Sequence, residues 1–260
     1  MPSLQRRLEG NKTRQQTVKY RITLAYDGTD YSGFQFQTGL KTIQGVLNSA
    51  VDKLESAPVT LHAAGRTDAG VHAEGQVISF QLNGDWDPST LVRAINGNLP
   101  DDIRVLDAAR APEDFHARFN AKGKTYRYQV WNGEVMNPFL LRHAWHYRYA
   151  IDIEKLSEQS RALLGTHDFS AFTVSDCEVR TRIRTITRIS IEQQNSLISL
   201  VFSGDGFLRY QVRTMVGVLM NANRGRLKIN SIEELIESRD RKLAGTPAPA
   251  QGLTLMKVEY

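Results

Sequence analysis

Val18-Lys19-Tyr20-Arg21-Ile22-Thr23-Leu24-Ala25-Tyr26 alternates large apolar residues with polar or small ones. A side-chain period of two puts Tyr20, Ile22, Leu24 and Tyr26 on one face, the pattern of a strand buried on one side only. Beyond a glycine-bearing turn, Ile43, Val46, Leu47, Ala50, Val51 and Leu54 recur at helical spacing behind Thr42, a suitable N-cap, and predict a helix over 43–54. Residues 59–64 and 76–82 read as strands, Asp87-Pro88 opens a helix through Leu91, Val92 and Ile95, and residues 103–109 read as a further strand. The order is βαββαβ.

The same order recurs downstream. A strand at 124–131 precedes a helix at 152–164 behind Asp152, strands at 183–193 and 196–203 flank an Asn195-Ser196 turn, and a helix at 209–224 precedes a strand at 253–258. Two such units in tandem predict an α+β fold built by duplicating a ferredoxin-like motif, with a mostly antiparallel sheet. The units are expected at 18–112 and 113–260, with residues 110–123 as linker and 1–17 as a flexible basic tail. The second unit adds a helix from Ser231, where Ser-Ile-Glu-Glu makes a capping box, and a stretch with two prolines between Gly245 and Gly252. Each unit is expected to form its own four-stranded sheet with two helices on one face, leaving the other face or the seam between units for a large ligand.

At 260 residues, 41% hydrophobic and 23% charged, the chain has the composition of a globular protein, and no run nears the ~18 apolar residues of a membrane span. Cys177 is the only cysteine, which excludes an intrachain disulfide framework and a redox CxxC pair. No apolar core of a secretion signal interrupts the basic N-terminal residues, so a cytoplasmic location is expected. The net charge of +5 is blocked: residues 1–19 carry +4, 115–148 carry +5 and 178–228 carry +6, against −6 over 20–114. Arg180, Arg182, Arg184 and Arg188 alternate within the third block, which fits a phosphate backbone as partner or a solvated strand face.

Nucleotide-cofactor loops are missing, since Gly204-Asp205-Gly206 lacks the third glycine of a dinucleotide fingerprint. His143 and His146 stand three apart without a third ligand in view, so no metal is expected. What remains is Gly65-Arg66-Thr67-Asp68-Ala69-Gly70-Val71-His72-Ala73, between two strands and rich in small residues that let a substrate approach the backbone. Asp68 is there either a nucleophile or a turn aspartate bonded to its own backbone.

These segments, with others in fixed order, carry a specific resemblance. Tyr26-Asp27-Gly28-Thr29, Gly33-Phe34-Gln35, the 65–73 run, Phe115-His116-Ala117-Arg118, Lys124-Thr125-Tyr126-Arg127-Tyr128, Gly165-Thr166-His167-Asp168-Phe169, Phe207-Leu208-Arg209-Tyr210-Gln211-Val212-Arg213 and Ala248-Pro249 with Gly252-Leu253 resemble the ordered signatures of the TruA-type tRNA pseudouridine synthase family. The resemblance covers residues 18–260; Phe34 stands where many members have Trp, and Gln211 where many have Met.

It implies the pseudouridine synthase fold, a homodimer, and isomerisation of uridine in the anticodon stem-loop of tRNA, at positions 38 to 40, without cofactor or metal. It also assigns Asp68 as nucleophile and Arg213 as the cation that holds it, lowering its pKa; by spacing alone Arg213 lies at the margin of the helical stripe of Val212, Met215, Val216 and Leu219, where a surface Arg also fits. Tyr126 becomes the ring that stacks on the flipped uracil and takes the C5 proton, or on its residues alone a packing partner of its strand. Arg66 is implied to fill the space the base vacates, unless it is a salt-bridged turn Arg, and Leu253 is a pocket wall or core. The rival from another class is an RNA-binding protein of two RRM-like units, but residues 75–82 offer only Phe80 and 198–204 only Phe202 for base stacking.

Overall fold

The first strand, β1 (Thr17–Tyr26), buries Tyr20, Ile22, Leu24 and Tyr26 as its alternation requires. In this computed structural model, which describes residues 17–55, 57–174 and 179–260, it is followed by α1 (Ile43–Val51), β2 (His62–Ala63), β3 (His72–Asn83), α2 (Pro88–Asn96) and β4 (Ile103–Arg110). The second half runs β5 (Gly123–Trp131), β6 (Trp145–His146), α3 (Ile153–Ser160), β7 (Gly165–Asp168), β8 (Ile183–Gln194), β9 (Leu197–Gly204), α4 (Gln211–Asn223), α5 (Ile232–Ser238) and β10 (Leu253–Glu259). Residues 1–16 of the basic tail and Cys177 lie outside the described residues. The helices start where their caps dictate: Thr42, Asp87, Asp152 and Ser231 each accept a backbone N–H from the first turn.

Within each half the strand order is the same. β4-β1-β3-β2 and β10-β5-β9-β8 are both the 4-1-3-2 order of a ferredoxin-like unit. The two do not form separate sheets, however, and here the structure corrects the expectation. One sheet runs β4-β1-β3-β10-β5-β9-β8-β7, because β10 pairs in parallel with β3 at Thr254 opposite His72 and Leu255 opposite Ala73.

The cause lies in strand lengths. The expected strand at 59–64 shrinks to His62–Ala63, paired only with Ser79 and Ile78, whereas β3 begins at His72 rather than at 76. The first residues of β3 therefore present an unpaired edge, which β10 covers. Gly75 makes the approach possible, since a Cβ there would fall on the Met256 carbonyl.

Register carries one face across this seam: Tyr26 lies opposite Ala73, Ala73 opposite Leu255, and Leu255 opposite Tyr126. These residues share a continuous core with Ile43 and Leu47 of α1, Leu91 and Ile95 of α2, and Met215, Val216 and Leu219 of α4. The segment read as a linker packs against the C-terminal strand. Phe115 packs on Tyr260 with ring centroids 5.1 Å apart, and Ala117, fully buried, receives the Tyr260 hydroxyl on its carbonyl at 2.8 Å.

Candidate active site

The loop between β2 and β3 closes on the seam, and backbone geometry decides what the Asp68 carboxylate is free to bond there. The Val71 N–H donates to the Asp68 carbonyl at 3.2 Å, and Gly70 takes φ +75°, the positive value a type II turn demands at that place. Because the turn closes through the main chain, the Asp68 carboxylate is left free of it. Its Oδ2 accepts instead from Arg213 Nη1 at 3.1 Å, across 145 residues of sequence.

Arg213 is itself fixed. It stands in the first turn of α4, its Nε donates to the Ala248 carbonyl at 2.8 Å, its own carbonyl takes the Ala248 N–H at 2.9 Å, and its guanidinium lies 5.0 Å from the centre of the Tyr210 ring. The irregular 245–252 stretch can run this close to α4 because Gly217 faces the Thr246 carbonyl, where a Cβ would come within 2.5 Å. Tyr210, in the left-handed region at φ +65°, offers no side-chain cap, so the helix starts at Gln211 rather than at 209, with Gln211 Oε1 accepting the Leu208 N–H at 2.8 Å.

Burial and charge compete at Asp68. Desolvation raises its pKa above the ordinary carboxylate value, and the Arg213 guanidinium with the charge of Arg209 offsets only part of that rise. Arg213 lowers the value as expected, but against a larger effect of burial: it restrains an upward shift, since the pair is only 15% and 18% exposed and the carboxylate has lost most of its water.

Tyr126 lies in the same space, close enough for Asp68 to act on its titration. Its ring is buried and stands edge-on to Phe207, centroids 5.1 Å apart. Burial pushes the phenol far above its usual value, so it stays protonated at neutral pH and is not a standing base for a C5 proton. Leu253 opens β10, buried, opposite Tyr128. Arg66 is exposed two residues before Asp68, and among the described residues no carboxylate pairs with it, which removes the salt-bridged alternative.

Several residues that hold the loop escape a reading by residue type. The Tyr26 hydroxyl bonds Thr67 Oγ1 at 2.8 Å, Gln76 Nε2 donates to the Gly65 carbonyl at 2.8 Å, the Phe34 N–H to the Thr67 carbonyl at 3.0 Å, and Lys124 Nζ to the Ala64 carbonyl at 2.8 Å. Burial pushes the Tyr26 phenol up to about 12, so it remains a neutral strut. Gly28 packs against the Val71 carbonyl so closely that no side chain fits. The one available signal was that Tyr26, Gly28, Phe34, Thr67 and Lys124 belong to the quoted motifs; Gln76 carried none.

The histidine pair is also reassigned. His146 lies on β6 with Nε2 at 2.9 Å from the Gly133 carbonyl, while His143 stacks on His72 at 4.6 Å and faces Asp27 at 3.7 Å. Asp27, His72 and His143 bring three ligand atoms within 4.8 Å of one another, beside a cavity of about 470 Å³. Protein partners already engage two of them: Asp27 Oδ1 takes the Thr29 N–H at 2.9 Å and its hydroxyl at 2.5 Å, and His72 meets the Gly28 N–H at 3.1 Å and the Gln251 carbonyl at 3.2 Å. Burial lowers the His72 pKa; its Nδ1 faces both the Gly28 N–H and Asp27 Oδ1 at 3.1 Å and its Nε2 faces the Gln251 carbonyl, which ties the end of the loop to both halves of the chain.

A carboxylate held by an arginine near a buried tyrosine, at the seam of two fused ferredoxin-like units, is the geometry of the site, and the sequence around it is matched across most of its length. A family model described as tRNA pseudouridine synthase matches residues 22–120 and 160–260. The chain belongs to this family of isomerases, and its α+β sheet is the pseudouridine synthase fold. Among curated proteins it is similar to tRNA pseudouridine synthase A of Streptococcus thermophilus strain CNRZ 1066, 42% identical over 246 residues that span 94% of this chain and 99% of the relative. The proteins of the same name from Methylacidiphilum infernorum isolate V4 and Limosilactobacillus fermentum are 43% and 40% identical over 94% and 93% of this chain, in each case 96% of the relative.

Proposed function

We propose that this chain isomerises uridine to pseudouridine in the anticodon stem-loop of tRNA, at positions 38 to 40, with Asp68 as the nucleophile and no cofactor. The observation that carries the reading is the Asp68 carboxylate, released from its own turn and held 3.1 Å from Arg213 beside the buried Tyr126 ring. Family membership and the names of the relatives support the tRNA substrate.

The reaction breaks the N1 to C1′ bond, turns the uracil, joins C5 to C1′ and releases the C5 proton. A base within a stem reaches the loop only after leaving its stack, at a cost of a few kcal/mol. Tyr126 then offers a ring for the displaced base, Leu253 an apolar wall, and Arg66, exposed and without an acid partner among the described residues, a side chain to occupy the gap. At C1′ the Asp68 carboxylate acts either by direct attack or by assisting a glycal route; both need it ionised, which Arg213 and Arg209 favour against burial. Because Tyr126 is protonated, a proton taken at C5 through its oxygen has to be matched by loss of the phenolic one.

We further propose two units, 18–112 and 113–260, a cytoplasmic location and a homodimer as the working form. No helix among the described residues is long and apolar enough to cross a membrane.

The test uses tRNA tritiated at uridine C5. An isomerase releases label to water from the anticodon arm, and Asp68→Ala abolishes release while tRNA affinity stays within several-fold, since phosphate contacts dominate binding. A protein that only binds RNA releases none, and undiminished release by Asp68→Ala removes the nucleophile assignment.

A further inference from the structure

Next to the catalytic loop stands a lysine that none of the chemistry above uses. Lys124 precedes Tyr126 by two residues on β5 and therefore points to the same face of the sheet. Its Nζ donates to the Ala64 carbonyl at 2.8 Å and lies beneath Gly65, where a Cβ would come within 3.1 Å of it. Ala64 is four residues from Asp68, so their Cα atoms are at most ~14 Å apart and the ammonium sits on the same loop as the carboxylate.

Across the sheet, Lys124 lies opposite Gly204 and Gly204 opposite Ile186. Arg184, two residues from Ile186 on β8, projects to that same face, and a side chain at Gly206 would lie only 3.7 Å from its Nε. Gly65 and Gly206 thus leave bare backbone beside a lysine and an arginine. Arg184 is braced by carbonyls, its Nη1 donating to Thr181 at 3.0 Å and Ile183 at 2.6 Å, not by an acid.

The charges around Lys124 are all of its own sign. Burial first, and then the like charges of Arg118, from the segment before β5, and of Arg184, bring the ammonium down to about 8. The loop offers a carbonyl, β9 a glycine and β10 the uncharged Val258, while Asp68 is committed to Arg213. Among the described residues no carboxylate pairs with Lys124, Arg184 or Arg118. Lys124 has lost most of its water, Arg184 is half-buried and Arg118 is exposed beside them; a buried ammonium with like charges around it is unfavourable until an anion joins it.

We infer that Lys124, Arg184 and Arg118 form a phosphodiester site that grips the RNA backbone within one or two nucleotides of the displaced uridine. This rests on the proposed function, because the RNA must reach Asp68 for its neighbouring phosphate to reach Lys124. Lys124 supplies two donors not used on Ala64, Arg184 its remaining N–H groups, and the glycines let a phosphate oxygen approach the main chain.

The test measures tRNA binding and, separately, tritium release against pH and salt. Wild-type affinity is expected to fall as pH rises through about 8, where Lys124 loses its proton. Lys124→Arg, charged throughout, carries its affinity to higher pH; Lys124→Met binds roughly tenfold or more weakly at pH 7, has no alkaline limb, and shows a log Kd against log salt slope lower by about 0.7 to 0.9. The loss should fall on KM more than on kcat. Arg184→Gln, whose side chain is not packed under the loop, should weaken binding with the same reduced slope and guards against a folding defect at position 124. Wild-type affinity, slope and alkaline limb in Lys124→Met, or an unchanged slope in Arg184→Gln, overturns the site. Wild-type protein that binds tRNA but releases no tritium refutes the isomerase reading instead.

Discussion

Replacing Arg213 by alanine removes the group that opposes burial at Asp68, and the size of the effect follows from the geometry. With Nη1 3.1 Å from Oδ2, the charge centres are about 4 Å apart, which at an effective dielectric of 20 corresponds to about 4 kcal/mol. The pair is 15% and 18% exposed, so some of this is screened. Allowing for that, and for Arg209 remaining in place, about 1.4 to 2.7 kcal/mol is lost, or roughly one to two pH units in the Asp68 pKa. The acid limb of kcat/KM, read as tritium release over pH 4 to 9, should move up by that amount. Measured on the acid limb, the variant is then slower by about 10- to 100-fold and recovers as pH rises. Arg213→Lys keeps the charge but not the bond from Nε to Ala248, and should restore part of the shift without all of the rate. An acid limb that stays where it is in Arg213→Ala, in protein of normal melting temperature, refutes the electrostatic role.

Burial raises the Asp68 pKa above 3.8, so folding favours its protonated form; the resulting stability is present below that value and is lost as pH rises through the native one. Asp68→Asn should therefore gain stability on wild type between pH 4 and pH 7 in urea unfolding, and a constant difference at the two pH values counts against it. Gly28→Ala drives a Cβ into the Val71 carbonyl; it should cost about 1 to 3 kcal/mol and most of the turnover, and wild-type melting with wild-type release would show that the loop yields freely. Tyr126→Leu should lose about 1 to 3 kcal/mol of transition-state stabilisation as base stacking goes, whereas Tyr126→Phe keeps the ring and loses only what the phenol does; equal rates for the Leu variant and wild type would dismiss the stacking role.

Periodicity and caps were legible without coordinates because they depend on neighbours a few residues away. Tyr20 to Tyr26 alternate, Thr42 and Asp152 cap, and the 4-1-3-2 order of each half follows from two βαββαβ runs. Asp68 stood out because its loop is small-residued and lies between strands, and the ordered motifs pointed to a family. Tertiary structure decided the rest. The fusion at Thr254 and His72 depends on β2 being shorter than its apolar run suggests, which no local pattern records. Whether Asp68 served its own turn or a distant cation was settled by the Val71 N–H taking the main-chain carbonyl, and by α4 bringing Arg213 across 145 residues. The direction of the Asp68 shift depended on how much water the fold removes, a quantity set by all the surrounding elements together. Lys124 was read only as one letter of a motif; its place under Gly65, with cations around it and no acid, exists only once β5, β8 and the loop are packed.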